Sequence, residues 1–535
     1  MFNQQNPSLA AAVCWAVAAL LAVSAFLRVW HLGNIPGLNG DEAWIGDTAI
    51  AIGRGHAVQW HTPNGALLDP FFYGPAALLN ALFPPSIALL RSVAVVSGIL
   101  GLIVNFFWCR RVLGLTDAIV TTAILAVLPE SIAEGRLGWE PSQDILAVSL
   151  VIYLSLMIVK DRDRSVRWTL LTVLALFCAA IVHSVNIQVG WFLVTALAAR
   201  WGTTALSAFR RKPLIASGWT LLAAGVLSVA FRKAAPAIAY AFYCFHSRPD
   251  AGFLLGFIRL FSGRTVLREL AGSCMPVAGS ERFDAFDMLW CLPWVIVAAG
   301  IGLAFLRWRE TSIIDRTIFS AWLLQIFSIA LFAGGGYLVL GLDRYGLPLL
   351  VPSALVFARC VLFLIEPYAA YRAFAAAAGI AAGAAMLAFF GIAFFGHVIE
   401  TGGPGGDVFQ TGATEPKLAA LRVVADACPA HATCYLMTNE FWTYYPIHYL
   451  ASRTPNVKVL QFTYIPKDLL VDFSKACLDG RAWFAGDPDW QRYLESTFAS
   501  QGISFTHTLV ADYGGSPVLA VVHPLRPNFT AAPAR

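Results

Sequence analysis

A polytopic α-helical membrane protein with a soluble α/β tail is the fold class this sequence predicts, and three observations predict it. Hydrophobic residues fill 58% of the 535 positions and charged residues 13%, where a soluble globular chain carries about 25% charged residues. Apolar runs close to the roughly 20 residues that cross a bilayer recur from the N-terminus to about residue 400. Beyond a Gly-rich joint, Thr401-Gly-Gly-Pro-Gly-Gly-Asp407, the composition becomes that of a soluble domain. This balance excludes a disordered chain, a coiled coil and an ordinary cytosolic enzyme. A net charge of +5 without a long basic run also speaks against a nucleic-acid partner.

About eleven transmembrane helices are expected. They lie near Leu9–Val29, Ile87–Trp108, Ala118–Ala133, Asp144–Val159, Trp168–Val182, Ile187–Ala199, Leu214–Ala230, Leu289–Leu306, Ile318–Ala333, Tyr345–Val361 and Phe374–Phe395. The first lacks an Ala-x-Ala cleavage site after a basic region, so it reads as a retained helix. His183, Ser184 and Asn186 interrupt the stretch 168–199, which suits two short helices meeting at a tight turn. Arg359 near a span end either snorkels or faces the bundle interior.

Arg110–Arg111, the 160–164 charge run, Arg210-Arg211-Lys212 and Arg307/Arg309 fall on one side of this layout. By the positive-inside rule that side, with the N-terminus, is cytoplasmic. An odd number of spans then puts the tail on the far side. Two long far-side loops are expected, at about 31–85 and 231–287. The expected division is a membrane domain over 1–400 and a periplasmic α/β domain over 401–535. Within that tail, helix signals at Lys417–Ala427 and Trp490–Ser500 alternate with strand signals at Thr433–Met437, Asn456–Phe462, Gly480–Ala485 and Thr506–Ala511. Cys428 and Cys434 suit either a disulfide on an oxidising side or two small residues lying close.

Three polar clusters sit at far-side helix ends. Asn39-Gly40-Asp41-Glu42 reads as a capped helix start, as a carboxylate base held at the membrane surface, or as both. The turn Glu134-Gly-Arg136-Leu-Gly-Trp139-Glu140-Pro-Ser142 offers a cation, an aromatic wall and a carboxylate, although a membrane turn needs no more than a few polar groups. Asp343-Arg344-Tyr345-Gly-Leu-Pro348 sets Arg and Tyr at a span mouth, where both also serve as interfacial anchors. Together they describe one cavity with a carboxylate, phosphate-binding guanidinium groups and aromatic walls.

Gly40-Asp41-Glu42-Ala43, Phe71-Phe-Tyr73-Gly-Pro75, Arg136-Leu-Gly-Trp-Glu-Pro-Ser142 and Arg344-Tyr345-Gly-Leu-Pro348 resemble signatures of the GT-C glycosyltransferase superfamily. The chain is most similar there to protein O-mannosyltransferases and to enzymes that attach aminoarabinose-type sugars to lipid A. The resemblance implies that Asp41 is the base, with Glu42 beside it as support or alternative. It also implies that Arg136, Arg344 and Tyr345 face the donor phosphate, and that Trp139, Glu140 and Tyr73 face acceptor or sugar. Aminoarabinose transferases carry an Arg shortly after the acidic pair and a Lys before the later Pro, where this chain has Trp44 and Gly74. Arg54 or the Arg259/Arg264/Arg268 group is therefore expected to complete the phosphate cradle.

The implied function is transfer of a sugar from a polyprenyl-phosphate donor to a hydroxyl of a periplasmic acceptor, with inversion, at a bacterial inner membrane. That acceptor is lipid A or its core, another envelope glycan, or protein. No cofactor beyond the lipid-linked donor is indicated. A divalent cation among Asp41, Glu42, Asp47 and Glu140 is conceivable, but nothing in the spacing requires one, and His56 and His61 read as loop residues. A transporter or lipid-linked-sugar flippase is the alternative. It calls for broken helices and ionisable groups at mid-bilayer in paired halves, and no repeat is visible in the sequence.

Overall fold

The computed structural model describes residues 7–62, 67–211, 252–270, 285–333, 343–365, 368, 372–402, 413–463 and 467–525. Among them, eight helices are long and apolar enough to cross a membrane: Ala11–Val29, Ile87–Val112, Glu140–Lys160, Arg162–Val182, Asp287–Leu306, Ile313–Ala330, Leu347–Ile365 and Ala373–Thr401. The chain is a multi-pass membrane protein. Of the other expected spans, Leu115–Val127 is helical but only 13 residues long. Gly190–Arg211 is a 22-residue helix diluted by Arg200, Gly202 and a Thr pair. Leu214–Ala230 lies outside the described residues, as do the triple glycine at 334–336, most of the Gly-rich joint and most of the loop 231–287.

The first nine helices are α1 (Pro7–Val29), α2 (Gly40–Gly53), α3 (Pro70–Leu82), α4 (Ile87–Val112), α5 (Leu115–Val127), α6 (Pro129–Glu134), α7 (Asp144–Lys160), α8 (Ser165–Val182) and α9 (Gly190–Arg211). Side-chain caps start three of them: Asn39 for α2, Asp69 followed by Pro70 for α3, and Ser86 for α4. The expected break after α8 falls at His183, where a 3-10 turn, Ser184–Val189, leads into α9.

Two apolar clusters organise the membrane part. One packs α4, α5 and α7 around residues 347–360. The other packs α1, α2, α3 and Trp139 with Phe390–Phe395, with the helix Arg264–Glu269 and with Tyr449 of the tail. Arg359 faces the bundle interior, where it donates to Asp117 at 2.7 Å and Asp315 at 2.8 Å. Three charges from three helices thereby satisfy one another where lone charges would be costly.

Beyond residue 413, helices Thr414–Ala427, Phe441–Ala451, Lys467–Leu478 and Pro488–Ser500 surround a five-stranded sheet. Its strands are β1 (Cys434–Thr438), β2 (Val457–Gln461), β3 (Ala482–Gly486), β4 (Phe505–Ala511) and β5 (Pro517–Pro524), in the order β2-β1-β3-β5-β4. The first three are parallel, and β5 and β4 add an antiparallel edge. A Cys428–Cys434 disulfide ties the end of the first tail helix to the start of β1. The sequence reading missed β5 and the helices Phe441–Ala451 and Lys467–Leu478. The first of those helices hides behind Pro446 and a run of aromatic residues that favour strands.

The tail rests directly on α2. A Cβ added at Gly46 would come within 2.5 Å of the Tyr449 ring, and one at Gly40 within 2.6 Å of Trp442, so these two glycines permit the close approach of helix Phe441–Ala451. His448 Nδ1 lies 2.8 Å from Asp47 Oδ2. Lys417 Nζ donates to the Leu38 carbonyl at 2.6 Å, and the Leu38 N–H donates to Thr414 Oγ1 at 3.3 Å. The loop that delivers Asp41 is thus held from both the membrane side and the tail side.

Candidate active site

The acidic pair at the start of α2 divides by environment. Glu42 is fully buried. Its carboxylate accepts from Arg91 Nε at 2.6 Å, Arg91 Nη2 at 2.7 Å and the Gly138 N–H at 2.6 Å. Arg91 spends its remaining N–H groups on the carbonyls of Leu32, Pro36 and Gly37. Five donors therefore meet five acceptors in a site without water access. The Asn39 side chain accepts the Glu42 N–H at 2.7 Å, which is one half of a capping box. The other half is absent because the Glu42 carboxylate turns to Arg91. Glu42 thereby holds the 32–42 loop, α4 and the 135–139 turn together.

Asp41 points the other way. Its side chain keeps 30% of its exposure and lies 2.8 Å from Arg344 Nη1, whose side chain keeps 20%. The Arg344 guanidinium sits 5.3 Å over the Trp139 ring and 5.3 Å over the Tyr345 ring, within cation–π range. Trp139, nearly fully buried, donates from Nε1 to Glu134 at 3.1 Å. Trp139 is thus a floor under Arg344 rather than an open face for a sugar. The three clusters singled out in the sequence meet here.

Tyr73 and Glu140 lie close enough to Asp41 to interact with its charge. The Tyr73 hydroxyl donates to Glu140 Oε1 at 3.1 Å, and its ring meets Trp44 edge-on at 6.4 Å. Burial, followed by Glu140, Asp69 and Asp41, pushes the Tyr73 phenol upward, so it remains a donor. Asp69 caps α3 through the Phe71 N–H at 2.9 Å and accepts from Gln143 at 2.5 Å. Burial pushes its carboxyl up to about 7. Across from Tyr345 stands His183, with ring centroids 5.4 Å apart. Its Nδ1 lies 3.1 Å from the buried Asp144.

Several expected phosphate ligands are elsewhere. Arg136 is fully buried and donates to the carbonyls of Leu27, Trp30 and Ile35, with Phe395 packed on its guanidinium at 4.8 Å. It braces the end of α1 through Nη1 and Nη2, while its buried Nε has no hydrogen-bond partner among the described residues. Burial lowers its pKa to about 9, which leaves it a cation at neutral pH. Arg54 is exposed at the far end of the 14-residue α2, about 20 Å along the axis from Asp41 at 1.5 Å per residue. Arg264 is buried 2.8 Å from Asp287, which also pairs with Arg259 at 3.0 Å. The Arg268 side chain lies outside the described residues. Among the described residues, no group of three or more His, Cys, Asp or Glu side chains is placed to hold a metal ion, and Asp47 is engaged by His448.

Sequence reasoning missed Arg91, Asp144 and the tail contacts. Arg91 had a readable signal, being a lone cation inside an apolar span, where an ionisable group needs a partner. The tail contacts had none, since residues some 400 positions apart meet only in the folded chain.

No protein-family model matches this sequence, and no curated protein matches it. In structure the chain is similar to ArnT from Cupriavidus metallidurans bound to undecaprenyl phosphate. The TM-score is 0.53 at 15% identity, covering 96% of this chain and 97% of that one. The archaeal oligosaccharyltransferase AglB from Archaeoglobus fulgidus, in complex with an inhibitory peptide and a dolichol-phosphate, overlaps at a TM-score of 0.49 and 12% identity, covering 97% of this chain and 74% of that one. The likeness to ArnT shows the fold.

Proposed function

We propose that this protein is a membrane glycosyltransferase that moves a sugar from a polyprenyl phosphate to a hydroxyl, with Asp41 as the base. The observation that carries this reading is the partly exposed Asp41–Arg344 pair, 2.8 Å apart beside the Trp139 and Tyr345 rings, in a chain with the fold of a protein seen bound to undecaprenyl phosphate. Asp41 takes the proton of the acceptor hydroxyl, whose oxygen bonds to the anomeric carbon on the face opposite the phosphate, giving inversion. The anomeric C–O bond to phosphate breaks with its electron pair on the phosphate oxygen. Arg344, backed by the Trp139 and Tyr345 rings, balances that charge. Tyr73 and Glu140 are suited to orient the sugar or the acceptor. Glu42, saturated by Arg91 and Gly138, serves as the anchor of α2 rather than as a second base.

The membrane domain of residues 1–400 would carry this chemistry, and the tail of residues 401–535 would lie on the periplasmic side of a bacterial inner membrane, with the N-terminus cytoplasmic. The Lys/Arg asymmetry of the short loops and the Cys428–Cys434 disulfide support that orientation. Lipid A or its core, an envelope glycan and protein hydroxyls all fit as acceptors.

The test is reconstitution in liposomes with a panel of polyprenyl-phosphate sugars and envelope acceptors. Sugar transfer that requires a lipid-phosphate donor is the expected result. Movement of an intact lipid-linked sugar across the bilayer with no transfer would sustain the flippase reading instead.

A further inference from the structure

Of the arginines expected at the donor phosphate, Arg136 is committed to carbonyls and Arg54 lies at the other end of α2. Beside Tyr345, the neighbour of Arg344, stands a nitrogen base to which the transfer reaction assigns no role. His183 follows α8 at the break in the chain, and its side chain keeps 12% of its exposure. Its Nδ1 lies 3.1 Å from Asp144 Oδ2. Asp144 is itself fixed, being fully buried and accepting from the Asn186 amide on its other oxygen at 2.7 Å. The same amide nitrogen donates to the Ala179 carbonyl at 3.0 Å. Among the described residues, His183 Nε2 has no hydrogen-bond partner. The groups that face the imidazole are Asp144 from α7, Tyr345 against its ring, and the nearby Glu140. Tyr345 in turn packs under Arg344, the partner of Asp41.

A buried carboxylate on Nδ1 fixes the tautomer and orientation of an imidazole. With Nδ1–H on that carboxylate, Nε2 carries a proton to give only in the imidazolium, so the acid step starts from the doubly protonated ring. We propose that His183, oriented by Asp144, donates a proton to the phosphate oxygen that leaves the sugar. The inference rests on the transfer reaction proposed above. The acceptor proton goes to Asp41, the acceptor oxygen bonds to the anomeric carbon, and the anomeric C–O bond breaks onto phosphate. The Nε2 proton neutralises the new oxyanion, and exchange with solvent returns Asp41 and His183 to their starting states. Base and acid then contact adjacent residues, Asp41 pairing with Arg344 and His183 packing on Tyr345. Asn186 and Asp144 act as positioning residues.

The experiment uses the full-length protein in liposomes with a polyprenyl-phosphate sugar. It measures turnover, donor KM and thermal midpoint for wild type, His183→Ala, His183→Gln and Asp144→Asn. His183→Ala is expected to lower kcat by about 10²- to 10⁴-fold, the usual contribution of a positioned acid or base, at unchanged donor KM. Added imidazole is expected to restore at least about tenfold of that loss, which refilling a structural gap would not do. His183→Gln keeps an N–H for Asp144 and so keeps the thermal midpoint, yet it carries no transferable proton and should be as slow as His183→Ala. Asp144→Asn should be slow and unresponsive to imidazole. Wild-type kcat in His183→Gln, or loss in His183→Ala with an imidazole-insensitive rate and an intact midpoint, overturns the inference alone. An inactive wild type with every lipid-phosphate donor brings down the transfer reading and this inference with it.

Discussion

Replacing Arg91 with Met removes the guanidinium around which the base-bearing loop is built. Glu42 then keeps the Gly138 N–H as its one remaining partner from the present network, with its carboxylate still sealed from water. The carbonyls of Leu32, Pro36 and Gly37 lose their donor together. Breaking a buried ion pair by removing one partner costs about 3–5 kcal/mol, and the orphaned carbonyls act in the same direction. The double variant Arg91→Met/Glu42→Gln leaves no unpaired buried charge, so it should be more stable than the sum of the single changes implies, with a coupling of about 0.5–3 kcal/mol. Thermal unfolding in lipid nanodiscs, followed by tryptophan fluorescence, reads all four proteins of the cycle. Turnover measured below the unfolding midpoint should fall in Arg91→Met because Asp41 is no longer held beside Arg344. An Arg91→Met midpoint equal to wild type would refute the argument. So would a Glu42→Gln protein that keeps its midpoint and loses all turnover, since that result makes Glu42 the reacting group.

Arg136→Met should lower the unfolding midpoint while leaving donor KM within about twofold in the surviving folded protein, because the residue is fully buried and its Nη1 and Nη2 serve backbone carbonyls. Arg54→Ala should leave both turnover and midpoint unchanged, as measured in the same assays. The contact between the tail and α2 should loosen as pH rises. Burial lowers the His448 pKa, but the hydrogen bond and charge of Asp47 outweigh it and leave the pKa raised. Its stabilisation is therefore full below the ordinary histidine value of about 6.5 and is lost as pH passes the higher folded value. Burial also raises the Asp47 carboxyl, which favours the protonated, low-pH form and pushes in the same direction. Amide exchange over residues 441–451 should quicken between pH 6 and pH 8 in wild type and show a weaker pH response in His448→Gln.

Much of the membrane part was legible because burial in lipid demands a long apolar run, which a single sequence displays directly. The break at His183 was legible for the same reason, since polar residues interrupt such a run. Asp41, Arg344 and Tyr345 were legible as polar residues at helix ends on one face, and the fold brings that face to a point. Glu42 and Asp41 were not separable in sequence. One turn of α2 decides which carboxylate meets Arg91 and which meets Arg344. Arg136 misled because its residue type suits phosphate as well as it suits the backbone carbonyls it actually serves. In the tail, alternating helix and strand signals revealed the class, whereas the antiparallel edge strand β5 and the aromatic helix on α2 depend on partners distant in sequence.

The proposed transfer turns on one carboxylate acting as the base. Single-turnover sugar transfer by Asp41→Asn in liposomes, with donor-lipid binding measured in parallel, tests this most directly. The predicted result is a loss of about 10²- to 10⁴-fold in the transfer step with donor still bound and the unfolding midpoint within a few degrees of wild type. Transfer at the wild-type rate by Asp41→Asn would contradict it.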